Sequence, residues 1–254
     1  MNPMNSFRSV IFATATVFLL LLVACSHRTP QATVEVVDTS LSITPRAEKA
    51  ALDAVQNQIA HMQRGDILVI IPITGDAAND AGGRILRISA PTQRETYDTD
   101  LRRFHEQARK QLIAWVSSLD PHQSRTDILG ALDAARQESA MLPQRSNRRL
   151  IIVSDFLEDD GAYRFVSDGR LANPSRAHQL ADRLRGQDGF ALQGVTLCLG
   201  RLESSDFTPL STERKEAVRS FWADYFAAGG KPAEIRFDGP ELLADPDRGC
   251  SRGI

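Results

Sequence analysis

The sequence carries no excess of either charge. Its 254 residues have a formal net charge of only -2, and no basic or acidic stretch dominates, which argues against a nucleic-acid surface. Aromatic residues are sparse at 6%. There is no Gly-x-Ser-x-Gly, P-loop or Cys-x-x-Cys motif, so the common nucleophile-elbow, nucleotide and thiol-redox chemistries have no signature here. His27, His61, His105, His122 and His178 show no metal-ligand spacing, and no internal repeat or low-complexity tract appears. What remains is ordinary for a globular chain: 42% hydrophobic and 24% charged residues, enough length for one large domain or two small ones.

The amino-terminal segment differs from the rest. Arg8 is its sole charged side chain before position 25, and an apolar run follows from Ile11 to Ala24. That run is short for a membrane span, which needs about 20 consecutive apolar residues. It has the size of a signal-peptide core. It ends in Leu22-Val23-Ala24-Cys25, a tetrapeptide that resembles the bacterial lipobox. The resemblance implies that residues 1–24 are a lipoprotein signal peptide and that Cys25 is lipidated, so the chain is anchored to a membrane of the cell envelope. Ser26 stands where Asp would signal inner-membrane retention, which favours the periplasmic face of the outer membrane in a Gram-negative source. Residues 25–32 hold the lipidated Cys and a linker, whose seven residues reach about 23–25 Å fully extended. Two other cysteines remain. An exported compartment permits a Cys198–Cys250 disulfide; the alternative is a buried free thiol at Cys198 and a loose one at Cys250.

Strand and helix signals alternate after the linker. Thr33 to Val37 reads as a strand, and Thr44-Pro45 as an N-cap with Pro at the first helical position. Leu52, Val55, Ile59 and Met62 recur at helical spacing, and Gly65 is expected to end that helix. Ile67 to Ile73 is continuously apolar, as in a strand covered on both faces. Arg84 to Ser89 alternates like an edge strand. Helices are expected over Asp100–Ser118, Asp127–Met141, Ser175–Arg185 and Ser211–Ala228, and strands over Leu150–Val153, Ala191–Leu199 and Ala233–Phe237. The long stretch 156–174 reads as a loop. This alternation predicts an α/β fold, doubly wound, with a mostly parallel central sheet, helices on both faces and one antiparallel edge strand. The domain is expected over residues 33–240, with 241–254 as a C-terminal tail.

In open α/β sheets ligands bind outside the carboxyl ends of the strands. Asp38-Thr39-Ser40-Leu41-Ser42 directly follows the first strand, Ser154-Asp155 follows the Leu150–Val153 strand, and Thr126 opens a helix. Carboxylates and hydroxyls are the donors that hard divalent cations take. The order Asp-x-Ser-x-Ser, then Thr, then Asp, on these elements, resembles the von Willebrand factor A domain with its metal-ion-dependent adhesion site. That resemblance implies that Asp38, Ser40, Ser42, Thr126 and Asp155 hold Mg²⁺, or Mn²⁺ or Ca²⁺, and that a protein partner supplies an Asp or Glu to complete the site. Ser40, Ser42 and Thr126 would bind the ion directly in the partner-bound state, and the two aspartates directly or through water. Two departures concern loop shape: the family often has glycines before its Thr and after its last Asp, whereas Gln123-Ser124-Arg125 and Phe156 stand here.

The expected function is therefore a lipid-anchored, non-enzymatic protein-binding module. A metal-independent envelope scaffolding subunit is the alternative. A phosphatase of the haloacid-dehalogenase type is disfavoured, because it needs a second acid two residues after the nucleophile and Ser40 stands there. Arg64-Gly65-Asp66 spells an integrin-binding tripeptide, but Gly65 capping a helix and Asp66 opening a strand accounts for it. His61 and His105 are read as solvated helix residues, and Glu158-Asp159-Asp160 as a solvated acidic loop or, less simply, a second cation site.

Overall fold

A computed structural model describes residues 28–77, 79, 84–93, 97–120, 122–188, 194–227 and 250–252. The segment expected to be a signal peptide, Cys25, and the strand expected over Ala233–Phe237 lie outside these described residues. Six strands build one sheet: β1 (Gln31–Asp38), β2 (Ile67–Ile73), β3 (Leu86–Ser89), β4 (Asn147–Ser154), β5 (Val195–Arg201) and β6 (Cys250–Arg252). Their spatial order is β3-β2-β1-β4-β5-β6. Strands β2, β1, β4 and β5 run parallel, while β3 and β6 are antiparallel edges. The sequence predicted one antiparallel edge; the second comes from residues expected to form a tail. A three-residue segment with polar Ser251 and Arg252 has no apolar run of its own, so its strand form rests on pairing with β5.

The helices are α1 (Pro45–His61), α2 (Tyr97–Ser118), α3 (Ile128–Met141), α4 (Pro174–Asp188) and α5 (Thr212–Tyr225). Local chemistry sets their starts. Thr44 Oγ1 accepts from Ala47 N at 3.3 Å ahead of Pro45, and Asp127 accepts from Gly130 N at 2.7 Å. Helix α1 ends at His61, not at Gly65. Gly65 instead takes φ +76° in the turn into β2, a conformation that glycine adopts without strain.

The period-two alternation of β1 divides the core. Ala32, Val34 and Val36 pack with Ile71, Ile152 and helices α3, α4 and α5. On the opposite face Val37, Leu68 and Ile70 meet α1 and α2, and Ile151, Val153 and Cys198 meet α1 through Ala47, Ala51 and Ala54. Burial of both sheet faces explains why β2 reads as an unbroken apolar run. Cys198 is disulfide-bonded, and the β5–β6 register sets it opposite Cys250. Among the described residues no helix is long and apolar enough to cross a membrane.

Because the four central strands are parallel, their carboxyl ends share one rim. Asp38 ends β1, Thr74 follows β2, Ser154 ends β4 with Asp155 next, and Leu202 follows β5. The opposite rim receives the amino-terminal segment. Arg28 there pairs with Asp66 at 2.7 Å, and Asn147 N donates to Pro30 O at 2.9 Å.

Candidate metal centre

Asp38 leaves β1 at 1% exposure. The chain turns at once, so that Ser40 N donates back to Asp38 Oδ1 at 2.9 Å. Ser154 Oγ donates to the other oxygen, Oδ2, at 2.7 Å, which ties the ends of β1 and β4 together. The Ser40 and Ser42 hydroxyl oxygens lie 3.0 Å apart, and Ser42 Oγ donates to Asp155 Oδ2 at 3.4 Å. Asp155 Oδ1 accepts from Leu157 N at 2.9 Å. Asp38, Ser40, Ser42 and Asp155 thus form one connected group.

Thr126 is also buried, and it reaches the rim through its backbone. Thr126 N donates to Asp159 O at 3.1 Å, and Asp159 N to Thr126 O at 2.8 Å. Leu41 N donates to Gln123 O at 2.9 Å, so the loop carrying the serines is fixed to the loop carrying Thr126. That second loop lacks glycine, and Gly75 on its neighbour makes the room. A Cβ at Gly75 would stand 2.4 Å from Gln123 Nε2 and 2.9 Å from Arg125 Cβ.

The electrostatics follow from burial. Loss of water pushes the Asp38 carboxyl above the ordinary range, against hydrogen bonds from Ser154 and Ser40 that oppose the shift. Asp155 is pushed up to about 7, first by burial and then by the charge of Asp38, with a hydrogen bond from Ser204 working the other way. Burial, and for Asp155 the neighbouring charge of Asp38, thus disfavours ionisation of both acids in the absence of a cation between them. Two carboxylates with two adjacent hydroxyls, all hard oxygen donors on neighbouring turns, suit a divalent cation such as Mg²⁺ or Mn²⁺. The residues present therefore fit the ion that the motif implies.

The site's neighbours were not all legible in the sequence. Ser154 precedes the expected Asp155, and Ser204 lies just past β5; both are polar residues at strand ends, the position that singled out the others. Phe156 has φ 64°, in the left-handed region that favours glycine. Its ring is buried edge-on against Trp222 at 6.0 Å, and Trp222 Nε1 donates to Phe156 O at 3.0 Å. Apolar packing against α5 holds a backbone shape that a side chain ordinarily avoids. Beside Asp155 a cavity of about 180 Å³ is lined by Phe156, Arg201, Phe207, Lys215, Glu216 and Arg219, among others.

Of the weaker motifs, the tripeptide keeps its structural reading at Asp66 and two other expectations change. The Asp66 carboxylate of the Arg-Gly-Asp tripeptide is buried and accepts from Gln31 N, Gln63 N and Arg28, so it is engaged within the domain. His105 is not simply solvated: its Nε2 lies 3.1 Å from Met62 O. The acidic run is only partly a solvated loop, because Glu158 is fully buried.

No protein-family model matches the chain, and no curated protein matches it. Solved structures similar to it include manganese-loaded TRAP from Plasmodium vivax, at 12% identity and a TM-score of 0.43, covering 88% of this chain and 76% of that one. BatB from Bacteroides thetaiotaomicron, a conserved hypothetical protein, is similar at 14% identity and a TM-score of 0.40, covering 85% and 96%. A von Willebrand factor type A structure from Catenulispora acidiphila is similar at 18% identity and a TM-score of 0.39, covering 76% of this chain and 43% of that one. The manganese is a property of the Plasmodium structure.

Proposed function

We propose that this chain is a lipid-tethered, extracytoplasmic protein-binding module rather than an enzyme. Asp38, Ser40, Ser42, Thr126 and Asp155 would hold a divalent cation, Mg²⁺ or alternatively Mn²⁺ or Ca²⁺. Bound there, the ion supplies an open coordination position for an Asp or Glu from a protein partner. One observation carries the reading: Asp38 and Asp155, both buried, are linked through Ser42 and Ser40 at the ligand-binding rim of a parallel sheet. The protein's own part is to keep those oxygens fixed. Ser154 and Ser204 orient the two carboxylates, and the Leu41–Gln123 bond keeps the two loops together.

Supporting features surround the site. Arg201, Lys215 and Arg219 line the cavity beside Asp155, a setting that attracts further carboxylates on a partner. Leu41, between the two serines, is 58% exposed and gives such a partner apolar surface to cover. Lipidation at Cys25 places the anchor three residues before Arg28, which is pinned at the opposite rim by Asp66. The metal rim then faces away from the bilayer.

The test is calorimetric titration of Mg²⁺ and Mn²⁺ into the purified full chain in detergent. Binding should weaken at least about tenfold in Asp38→Ala and Thr126→Ala, which remove a carboxylate and a hydroxyl ligand. Equal binding by all three chains, or by none, would reject the metal-bridged reading. In that event a partner captured equally well with and without chelator would favour a metal-independent scaffold. Incorporation of labelled palmitate, lost in Cys25→Ala, checks the anchor.

A further inference from the structure

A second group of acids lies beside the first. One carboxylate oxygen each from Asp127, Glu158 and Asp160 falls within 4.8 Å of the others. Asp127 caps α3, and Glu158 and Asp160 come from the loop after β4. The Thr126–Asp159 backbone pairing brings the two segments together. Neighbouring acids alone do not make a site; the state of Glu158 adds a second observation.

Glu158 is 0% exposed. Its Oε2 accepts from Leu129 N at 3.0 Å, while its Oε1 has no hydrogen-bond partner. A buried carboxylate oxygen left without a partner is costly and calls for a proton or a cation. Thr74 supplies another buried oxygen at this rim: its carbonyl accepts from Asp127 N at 2.8 Å, and its hydroxyl also lacks a partner. The amino terminus of α3 alone would repel a cation, but three carboxylates exceed its partial positive charge, which is roughly half an elementary charge.

We infer that Asp127, Glu158 and Asp160 form a second divalent-cation site, adjacent to the Asp38–Asp155 site and selective for Ca²⁺ over Mg²⁺. The selectivity follows from the ligands. Ca²⁺ accepts many protein oxygens in irregular geometry, whereas Mg²⁺ demands an octahedron and keeps its waters, for which fully buried Glu158 leaves little room. The ion would cross-link the start of α3 to the loop after Asp155. It would thereby stiffen the two segments that carry Thr126 and Asp155.

Equilibrium dialysis of Ca²⁺ against the purified full chain tests this by stoichiometry. Wild type should bind two ions, Asp38→Ala one, Asp160→Asn one, and the double variant none. The asparagine side chain keeps an oxygen to accept the Ala162 and Tyr163 N–H groups, so the turn should survive. In the Asp38→Ala background, saturating Ca²⁺ should raise Tm by on the order of 5 °C, and Asp160→Asn or Glu158→Gln should abolish that rise. If Asp160→Asn leaves the stoichiometry unchanged, the second site is refuted whatever happens at the first. If one ion binds and Asp38→Ala removes it while Asp160→Asn does not, the second site again fails and the first reading stands. If one ion binds and only Asp160→Asn removes it, the second site stands and the first site does not take Ca²⁺, so the first reading is decided by its Mg²⁺ and Mn²⁺ titration. A wild-type chain that binds no Ca²⁺ overturns the second site outright.

Discussion

Glu35→Gln should stabilise this protein at alkaline pH and change little at acid pH. Glu35 lies in the middle of β1 under α1, with 0% exposure. Gln58 Nε2 donates to its Oε2 at 3.0 Å, and its Oε1 has no partner. Burial raises its pKa from 4.5 to about 8, against the smaller lowering effect of the Gln58 hydrogen bond. The folded chain therefore retains a proton that the unfolded chain releases. Where the native state binds more protons, stability falls as pH rises, here across the window from 4.5 to about 8. At 1.36 kcal/mol per pKa unit, the full separation corresponds to roughly 4–5 kcal/mol, of which about 3 kcal/mol accumulates between pH 5 and pH 8. Glutamine keeps the shape and the acceptor for Gln58 but cannot ionise. Denaturant unfolding of both chains, with chelator present, at these two pH values gives the comparison. The stability difference should move in favour of the variant by about 3 kcal/mol on going to the higher pH. A difference that stays constant with pH would show that folding does not shift the ionisation of Glu35 and would refute the reasoning.

Substitutions at Phe156 and at the Arg87–Glu138 ion pair give two further tests. At Phe156, with φ 64°, the usual preference for alanine over glycine should reverse. Phe156→Gly and Phe156→Ala should each lose the aromatic contacts with Trp222, at a cost of about 3–5 kcal/mol for the alanine change, but the glycine variant should be the more stable by about 1 kcal/mol in thermal unfolding. Arg87 Nε donates to Glu138 Oε2 at 2.8 Å, and the Glu138 side chain is only 7% exposed. Arg87→Leu should cost about 2–3 kcal/mol by leaving that carboxylate buried without its partner, and adding Glu138→Leu should recover most of the loss; additive losses in the double variant would count against the coupling.

Much of the fold was legible because its causes are local. The unbroken apolar run of β2, the Thr44-Pro45 start of α1 and the helix expected over Asp127–Met141 each depend on a few neighbouring residues, and the structure places each at or within a residue of its expected position. The alternation of strands and helices then left few alternatives to a covered parallel sheet. The features that were missed depend on distant partners. Strand β6 has no pattern of its own and exists by pairing with β5. Asp66 belongs to a motif associated with exposed loops, yet Arg28, a residue 38 positions away in sequence, turns it into a buried anchor. Glu158 sits in a run of acids that reads as solvated, yet it is buried at the start of α3, where Leu129 N donates to it and Asp159 next to it pairs with Thr126.

The candidate metal centre divides along the same line. By itself the sequence determined which oxygens stand at strand ends: Asp38, Ser40, Ser42 and Asp155, with Thr126 at a helix start. It could do so because chain direction in a parallel sheet puts every such end on one rim. Tertiary structure alone decided that Ser154 and Ser204 orient the carboxylates, that Phe156 holds a left-handed backbone by leaning on Trp222, and that Asp127 and Glu158 meet at the same rim. Those are matters of distance and exclusion of water between segments far apart in the chain. A one-dimensional pattern records residue types and their spacing, but it does not record which of their oxygens will be left without water.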